Sequence, residues 1–388
     1  MTRITGCRPE ILQIVRIIST EGKIIMKNKP FMTPGVFIVS SGSVTGEKEK
    51  RGALGGKFDL SGDDKFGKDT WEKAEAEMQR LAAGIALQKA GLSDSDIDVM
   101  FAGDLINQCI SSSFGLIPYR IPFLGLYGAC STCALGMTMA AIYLSGSCDR
   151  ALAVTSSHYC SAERQFRFPL EYGGQRTPTA QWTVTGSGAF VISSLKRDIT
   201  RCDSEFVPVI ADVMPGCVVD RGITDAGNMG AAMAPSAADT IKRYINAAGC
   251  GNSVNGTDMI VTGDLGREGS AILIDLLLAE HIDISGIHHD CGNIIFPIDD
   301  PDTHAGGSGC GCSAVVMAAD ILERMKCGEL NDVLFIGTGA LMNTMSVNQK
   351  LTIPGIAHLV HLRAVKKERL LSEIDLDDTE DREDGNNA

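Results

Sequence analysis

From Gly128 the chain runs on through a tight turn and a long apolar stretch, and meets no charged side chain before Asp149. A surface helix needs a polar face recurring every 3.6 residues, and this segment has none. It must be buried on all sides, either in a membrane or between the layers of a large protein. It is too short, and too rich in Thr, Ser and Gly, to span a bilayer. We read it as a central helix between two sheets, with Cys130 at its N-terminus. There the helix dipole and unpaired N–H groups favour a thiolate. A small buried core thiol is the alternative that spacing alone leaves open.

A second copy of this arrangement follows in the same chain. Val36-Phe37-Ile38-Val39 reads as a first strand, and Gly42 to Gly67 as a long glycine-rich, charged loop. Thr70 caps a helix with an apolar stripe at Trp71, Ala74, Met78, Leu81 and Ile85, stopped by Gly91. Asp98 to Leu105 is then a buried strand ending in Gly103-Asp104-Leu105. Downstream, a helix over Ala237 to Ala248 precedes a strand that ends in Gly263-Asp264-Leu265. Gly306 to Ala319 echoes the apolar helix, and Asp332 to Gly339 echoes the strand Arg150 to Ser157. Three matches in the same order indicate a tandem duplication of alternating strands and helices, hence an α/β layered sandwich. The expected boundaries are an extension over 1–30, a first half over 31–198, a second over 199–363, and an acidic disordered tail over 364–388.

Charge and cysteine usage narrow the function classes. The 388 residues carry a net charge of −13, which disfavours a nucleic-acid partner. Eight acids against Arg382 between Glu373 and Asp384 concentrate part of it in the tail. Thirteen cysteines without a compact framework suit free thiols in a reducing compartment. Neither a signal peptide nor a membrane span is expected, so any membrane role is peripheral. Met26 is a candidate natural start.

The residue strings carry a resemblance. Cys130 opening the first buried helix of a duplicated α/β chain resembles the thiolase and ketoacyl-synthase superfamily, which implies a five-layer αβαβα sandwich and a homodimer. Within it the chain is most similar to a family of stage V sporulation proteins linked to dipicolinic acid uptake. Gly103-Asp104-Leu105-Ile106-Asn107-Gln108, Gly128-Ala129-Cys130-Ser131-Thr132, Thr155-Ser156-Ser157-His158 and Ala162 to Pro169 carry that closer likeness. Glu171 to Gln175, Thr185 to Ala189, Asp225 to Ala238, His289-Asp290-Cys291-Gly292 and Ala305 to Cys310 continue it, between about residues 31 and 363. The resemblance implies binding of dipicolinic acid or its calcium chelate for uptake into the developing spore. It also implies docking on membrane proteins of the same operon at the forespore or spore inner membrane.

The superfamily's catalytic pattern is incomplete here. Condensing enzymes pair the cysteine with a histidine after the second-half strand and a histidine or asparagine near the second buried helix. This chain has Gly263-Asp264 at the first place and Gly306-Gly307-Ser308-Gly309 at the second. Condensation needs donors there for a developing oxyanion, and a carboxylate repels it. The expected function is therefore non-catalytic ligand binding, with acyl transfer through Cys130 as the alternative. The expected ligand residues are Cys130, Ser131, His158, Asp264, His289, Ser308, Gly309 and Cys310. Sequence alone leaves a structural role for His158 and His289 as the open alternative. Arg164, Arg167 and Arg176, interleaved with aromatics, read as solvated surface, a ligand gate or a dimer contact. Cys130 and Cys133 with Cys310 and Cys312 have awkward zinc spacing, so no metal and no cofactor are expected.

Overall fold

The computed structural model describes residues 29–372, apart from 147, 167–175, 249–253, 255, 298–299 and 301. Ten strands build two half-sheets of matching plan. In the first half these are β1 (Phe37–Thr45), β2 (Val99–Gly103), β3 (Phe123–Gly125), β4 (Arg150–Ser157) and β5 (Gly186–Ser193). In the second they are β6 (Phe206–Met214), β7 (Met259–Thr262), β8 (His288–Asp290), β9 (Asp332–Ala340) and β10 (Gly355–Lys366). The spatial order is β1-β5-β4-β2-β3 in one half and β6-β10-β9-β7-β8 in the other, joined where Phe37 of β1 pairs with Val209 of β6. In each half the first three strands are antiparallel to one another and the last two continue in parallel. The expected duplication is therefore present strand for strand.

Seven helices matter for the site: α1 (Trp71–Ala90), α2 (Ile110–Gly115), α3 (Thr132–Leu144), α4 (Tyr159–Phe166), α5 (Met229–Ala248), α6 (Gly266–Leu278) and α7 (Cys310–Val316). Helix α3 is the apolar stretch, and it touches strands of both half-sheets. Its Ala134, Met137 and Ala140 are fully buried. Strand β9 accommodates it at Gly337, where a β-carbon would stand 2.5 Å from that of Ala134. Helix α7 continues through a π-type turn (Met317–Ile321) into Leu322–Lys326 and packs beneath β4 and β5. Helix α1 covers the outside of the first half-sheet. Its ends are as expected, with Thr70 Oγ1 accepting from Lys73 N and Gly91 in the left-handed conformation.

Three boundaries differ from the sequence reading. The expected loop over Gly42 to Gly67 is strand as far as Thr45, followed by a helical turn (Glu47–Lys50) and a short strand (Leu60–Ser61). The small residues of that strand lie under α1: Ser40 Oγ donates to Ala86 O at 2.7 Å, and a β-carbon on Gly42 would meet Ala82 O at 2.4 Å. Serine and glycine serve there for closeness, not for a turn. The second-half helix begins at Met229, well before Ala237, and admits Pro235 inside it. The expected tail starts late, because β10 runs to Lys366 and residues 367–372 are helical, with Leu370 and Leu371 packed on the core. The extension before 29 and the acids from Glu373 on lie outside the described residues.

Candidate functional site

The strand ends of both halves converge on the N-termini of α3 and α7. There, a narrow cavity of about 30 Å³ opens beside Cys130, room for roughly two water molecules. Leu105, Ala129, Ala162 and Glu163 line it from the first half. Met229, Ser308, Ala340 and Met342 line it from the second, with Thr183 between them. A two-residue parallel pairing of Trp182–Thr183 with Gly307–Ser308 delivers Thr183 and Ser308 to it.

Asp264 organises the polar side. It is fully buried and accepts from Gly309 N (2.8 Å), Ser308 Oγ (3.1 Å) and Thr338 Oγ1 (2.8 Å). The same carboxylate acts on the Cys130 thiol and favours its protonated form. One side chain thus ties the mouth of α7 to β9 and acts on the thiol at the mouth of α3. The expected thiolate is not supported here. Burial, and then the Asp264 charge, push the Cys130 thiol well above its ordinary range, outweighing the donors Gly309 N and Ser308. The helix dipole acts in the opposite sense and is overridden, since removing a charge from water costs more than one helix terminus returns.

The remaining expected residues separate into two groups. Ser308, Gly309 and Cys310 stand with Cys130 and Asp264. Cys310 packs against Leu105, Cys130 and Ala162, and its thiol donates to Ser156 O at 3.0 Å. Ser131 is buried and donates back to Gly128 O at 2.6 Å, shaping the turn and lining nothing. His158 is a structural histidine: Nδ1 accepts from Cys160 N (3.2 Å), Nε2 meets Asp64 O (2.7 Å), and the ring packs on Trp71. Burial lowers its pKa, so it stays neutral. His289 is exposed on the rim of β8 and does not line the cavity. Its neighbour Asp290 points inward, where it accepts from Thr262 Oγ1 and from the N–H groups of Leu265 and Gly266. The His-Asp pair braces a turn.

Arg176 donates to the carbonyl oxygens of Asp302 and Gln181 and lies over the Trp182 ring. The Arg164 side chain and Arg167 fall outside the described residues. Among the described residues no group of His, Cys, Asp and Glu is placed to hold a metal ion, and no helix is long and apolar enough to cross a membrane.

Sequence reasoning missed Glu163, Thr183, Met229, Ala340 and Met342. Glu163 is 6% exposed and accepts from Thr183 Oγ1 at 3.0 Å. It stood inside one of the quoted strings, beside the arginines that drew attention instead. The cavity walls are otherwise apolar, and among its described lining residues there is neither a histidine nor an asparagine. The arrangement offers a thiol and two carboxyl groups, with no base to ionise the thiol and no side-chain amide or imidazole to receive an oxyanion.

Comparison with known proteins places the chain. The model of the family described as stage V sporulation protein AD matches residues 26–363. A relative of that name from Bacillus subtilis (strain 168) is 44% identical over 325 residues, covering 83% of this chain and 93% of its own. Cerulenin-bound OleA from Xanthomonas campestris superposes with a TM-score of 0.52 at 15% identity, over 86% of this chain and 98% of its own. The 3-oxoacyl-[acyl-carrier-protein] synthase III of Aquifex aeolicus VF5 does so with a TM-score of 0.50 at 13% identity, over 84% and 99%. At such identities the likeness speaks to the fold alone, which is the thiolase-like fold expected from the duplication. The chain belongs to the stage V sporulation protein AD family.

Proposed function

We propose that this protein is a non-catalytic, thiolase-like binding protein that takes dipicolinic acid, free or as its calcium chelate, into the cavity beside Cys130 for uptake into the developing spore. One arrangement carries the non-catalytic part: the buried Asp264 carboxylate acts on Cys130 and holds the thiol protonated, at the place where a condensing enzyme needs a histidine. The family membership and the resemblance described above support the ligand. A pyridine ring with two carboxylates exceeds the present cavity, so its entry requires the flexible side chains of Met229 and Met342 to swing aside. Strand β3 supports the expected homodimer. It is an edge strand whose residues Phe123 and Leu124 are exposed, beside exposed Phe114 and Ile117, and such an edge is a template for a second copy. Delivery would be peripheral, by docking on membrane proteins of the same operon at the spore inner membrane.

Calorimetric titration with dipicolinate, with and without calcium, tests this reading. Saturable heat that is weakened by Met342→Trp, which fills the cavity, is the expected result. No heat from the folded protein in either form overturns it.

A further inference from the structure

Behind the cavity wall lies a buried polar chain that the binding function does not use. Glu75 of α1 contacts Ser156 Oγ at 2.9 Å and Ser161 Oγ at 2.7 Å. Gln79, one turn on, donates to Ser156 Oγ (2.7 Å) and Ser112 Oγ (2.9 Å), and Ser112 donates to Asp104 at 2.6 Å. All six side chains are buried. Counting hydrogens assigns the charges. Asp104 receives three donors, from Ile106 N, Ser112 N and Ser112 Oγ, which suits an ionised carboxylate. Glu75 meets only two hydroxyls. One of them, Ser161, has a single hydrogen and two neighbours, Glu75 and His158 O at 3.1 Å. Both contacts are made at once when a neutral Glu75 donates to Ser161 and Ser161 donates to His158 O.

The surroundings agree. The titratable groups acting on this pair are Asp104 itself, Cys109 before α2, Tyr127 before α3 and Cys310 of α7, with no cation among them. Strands β1 and β5 and helix α2, all packed along α1, carry no titratable side chain, and Arg150 of β4 is engaged by Asp198. Helix α4 brings Cys160, Tyr159, which stacks on Trp182, and Glu163, which accepts from Thr183. Burial, and then the Asp104 charge, raise the Glu75 pKa to about 8.

We infer that Glu75 holds a resident proton at neutral pH, and that this proton lets Ser161 bridge α1 to His158 O at the start of α4, beside the cavity wall. Ser161 adjoins Ala162 and Glu163, and Asp104 adjoins Leu105, so the two ends of the chain hold two sides of the cavity. Loss of the proton puts a second buried charge beside Asp104 and turns the Ser161 hydroxyl to donate to the carboxylate, so that His158 O loses that hydroxyl and the first turn of α4 is loosened. The inference is independent of which ligand the cavity takes.

The test uses the full chain. The infrared carbonyl band of protonated carboxyls is titrated alongside hydrogen exchange of residues 159–163, corrected for intrinsic rates. Glu49, another buried acid with its pKa raised to about 8 by burial, contributes to the same band, so the Glu75 share is read as the difference between wild type and Glu75→Gln. That share disappears on passing about pH 8, and exchange of the segment rises with it. In Glu75→Gln, which keeps an acceptor for Ser156 and a donor for Ser161, the segment stays protected across the range. Asp104→Asn moves the midpoint down by about one pH unit. A band unchanged by Glu75→Gln, or exchange that follows pH equally in wild type and variant, overturns the inference.

Discussion

Two aspartates at the same place in the duplicated plan have different work. Asp104 follows β2 and Asp264 follows β7, each within a Gly-Asp-Leu. Asp104 spends its oxygens locally, on Ile106 and Ser112, closing the entry to α2. Asp264 reaches outward to Gly309, Ser308 and Thr338 on other elements of its own half, and its charge acts on Cys130 of the first. Duplication delivered the same residue twice, and the loops opposite decided its role. In the second half the carboxylate serves as a brace.

The sharpest way to break this contrast is truncation. Asp264→Ala strands Gly309 N–H and two hydroxyls in the interior, and should cost about 3 kcal/mol or more in guanidinium denaturation. Asp104→Asn keeps one acceptor for Ser112 but turns an amide N–H toward Ile106 N, while removing a charge from beside Glu75, and should cost less, about 1–2 kcal/mol. Equal losses would erase the distinction between brace and local clip.

The second half also holds a largely buried ionic cluster centred on a histidine. His361 sits between Asp212 (3.0 Å) and Asp332 (3.1 Å). Burial alone would lower its pKa, but the hydrogen bonds to the two aspartates outweigh it and raise the value to about 9. A folded-state pKa above the unfolded value means the contribution is complete below about pH 6.5 and is lost as pH rises through about 9. The loss is at most about 3 kcal/mol. Stability curves of wild type and His361→Gln should converge over that window, and parallel curves would remove the cluster from the account.

A smaller effect reads the thiol directly. Asp264→Asn removes the second largest cause of the raised Cys130 pKa, so alkylation of Cys130 at pH 8 should speed up about tenfold or more. An unchanged rate would show that burial alone holds the thiol neutral. Smallest is the cap of α1: Thr70→Ala should cost about 1 kcal/mol, measured as a shift in denaturation midpoint, with no effect on the cavity.

The architecture was legible because it is written twice. An uncharged helix, two Gly-Asp-Leu strand ends and two glycine-rich helix entries fix the order of layers without any distances. Of the residues singled out, those the structure gathers at or beside the cavity lie on those repeats: Cys130 and Ser308 line it, with Asp264, Gly309 and Cys310 next to them. His158 and His289 were not readable, because direction decides them. In β8 successive side chains alternate, so Asp290 faces the interior and His289 the rim, and a sequence does not say which parity is buried. The thiolate expectation failed for a related reason. A helix N-terminus is visible in sequence, but the depth of burial and the aspartate facing it from another strand are not. Glu163 and Met342 arrive from segments whose distance from Cys130 along the chain carries no spatial information.

The central claim is that Asp264 and burial hold Cys130 as a neutral, unreactive thiol. Intact-mass analysis after incubation with an acyl-coenzyme A near neutral pH tests it most directly. The account predicts no mass increase that depends on Cys130, in a preparation that gives saturable heat with dipicolinate. A stoichiometric acyl adduct, abolished by Cys130→Ala, would contradict it and restore the reading of an acyl-transfer enzyme.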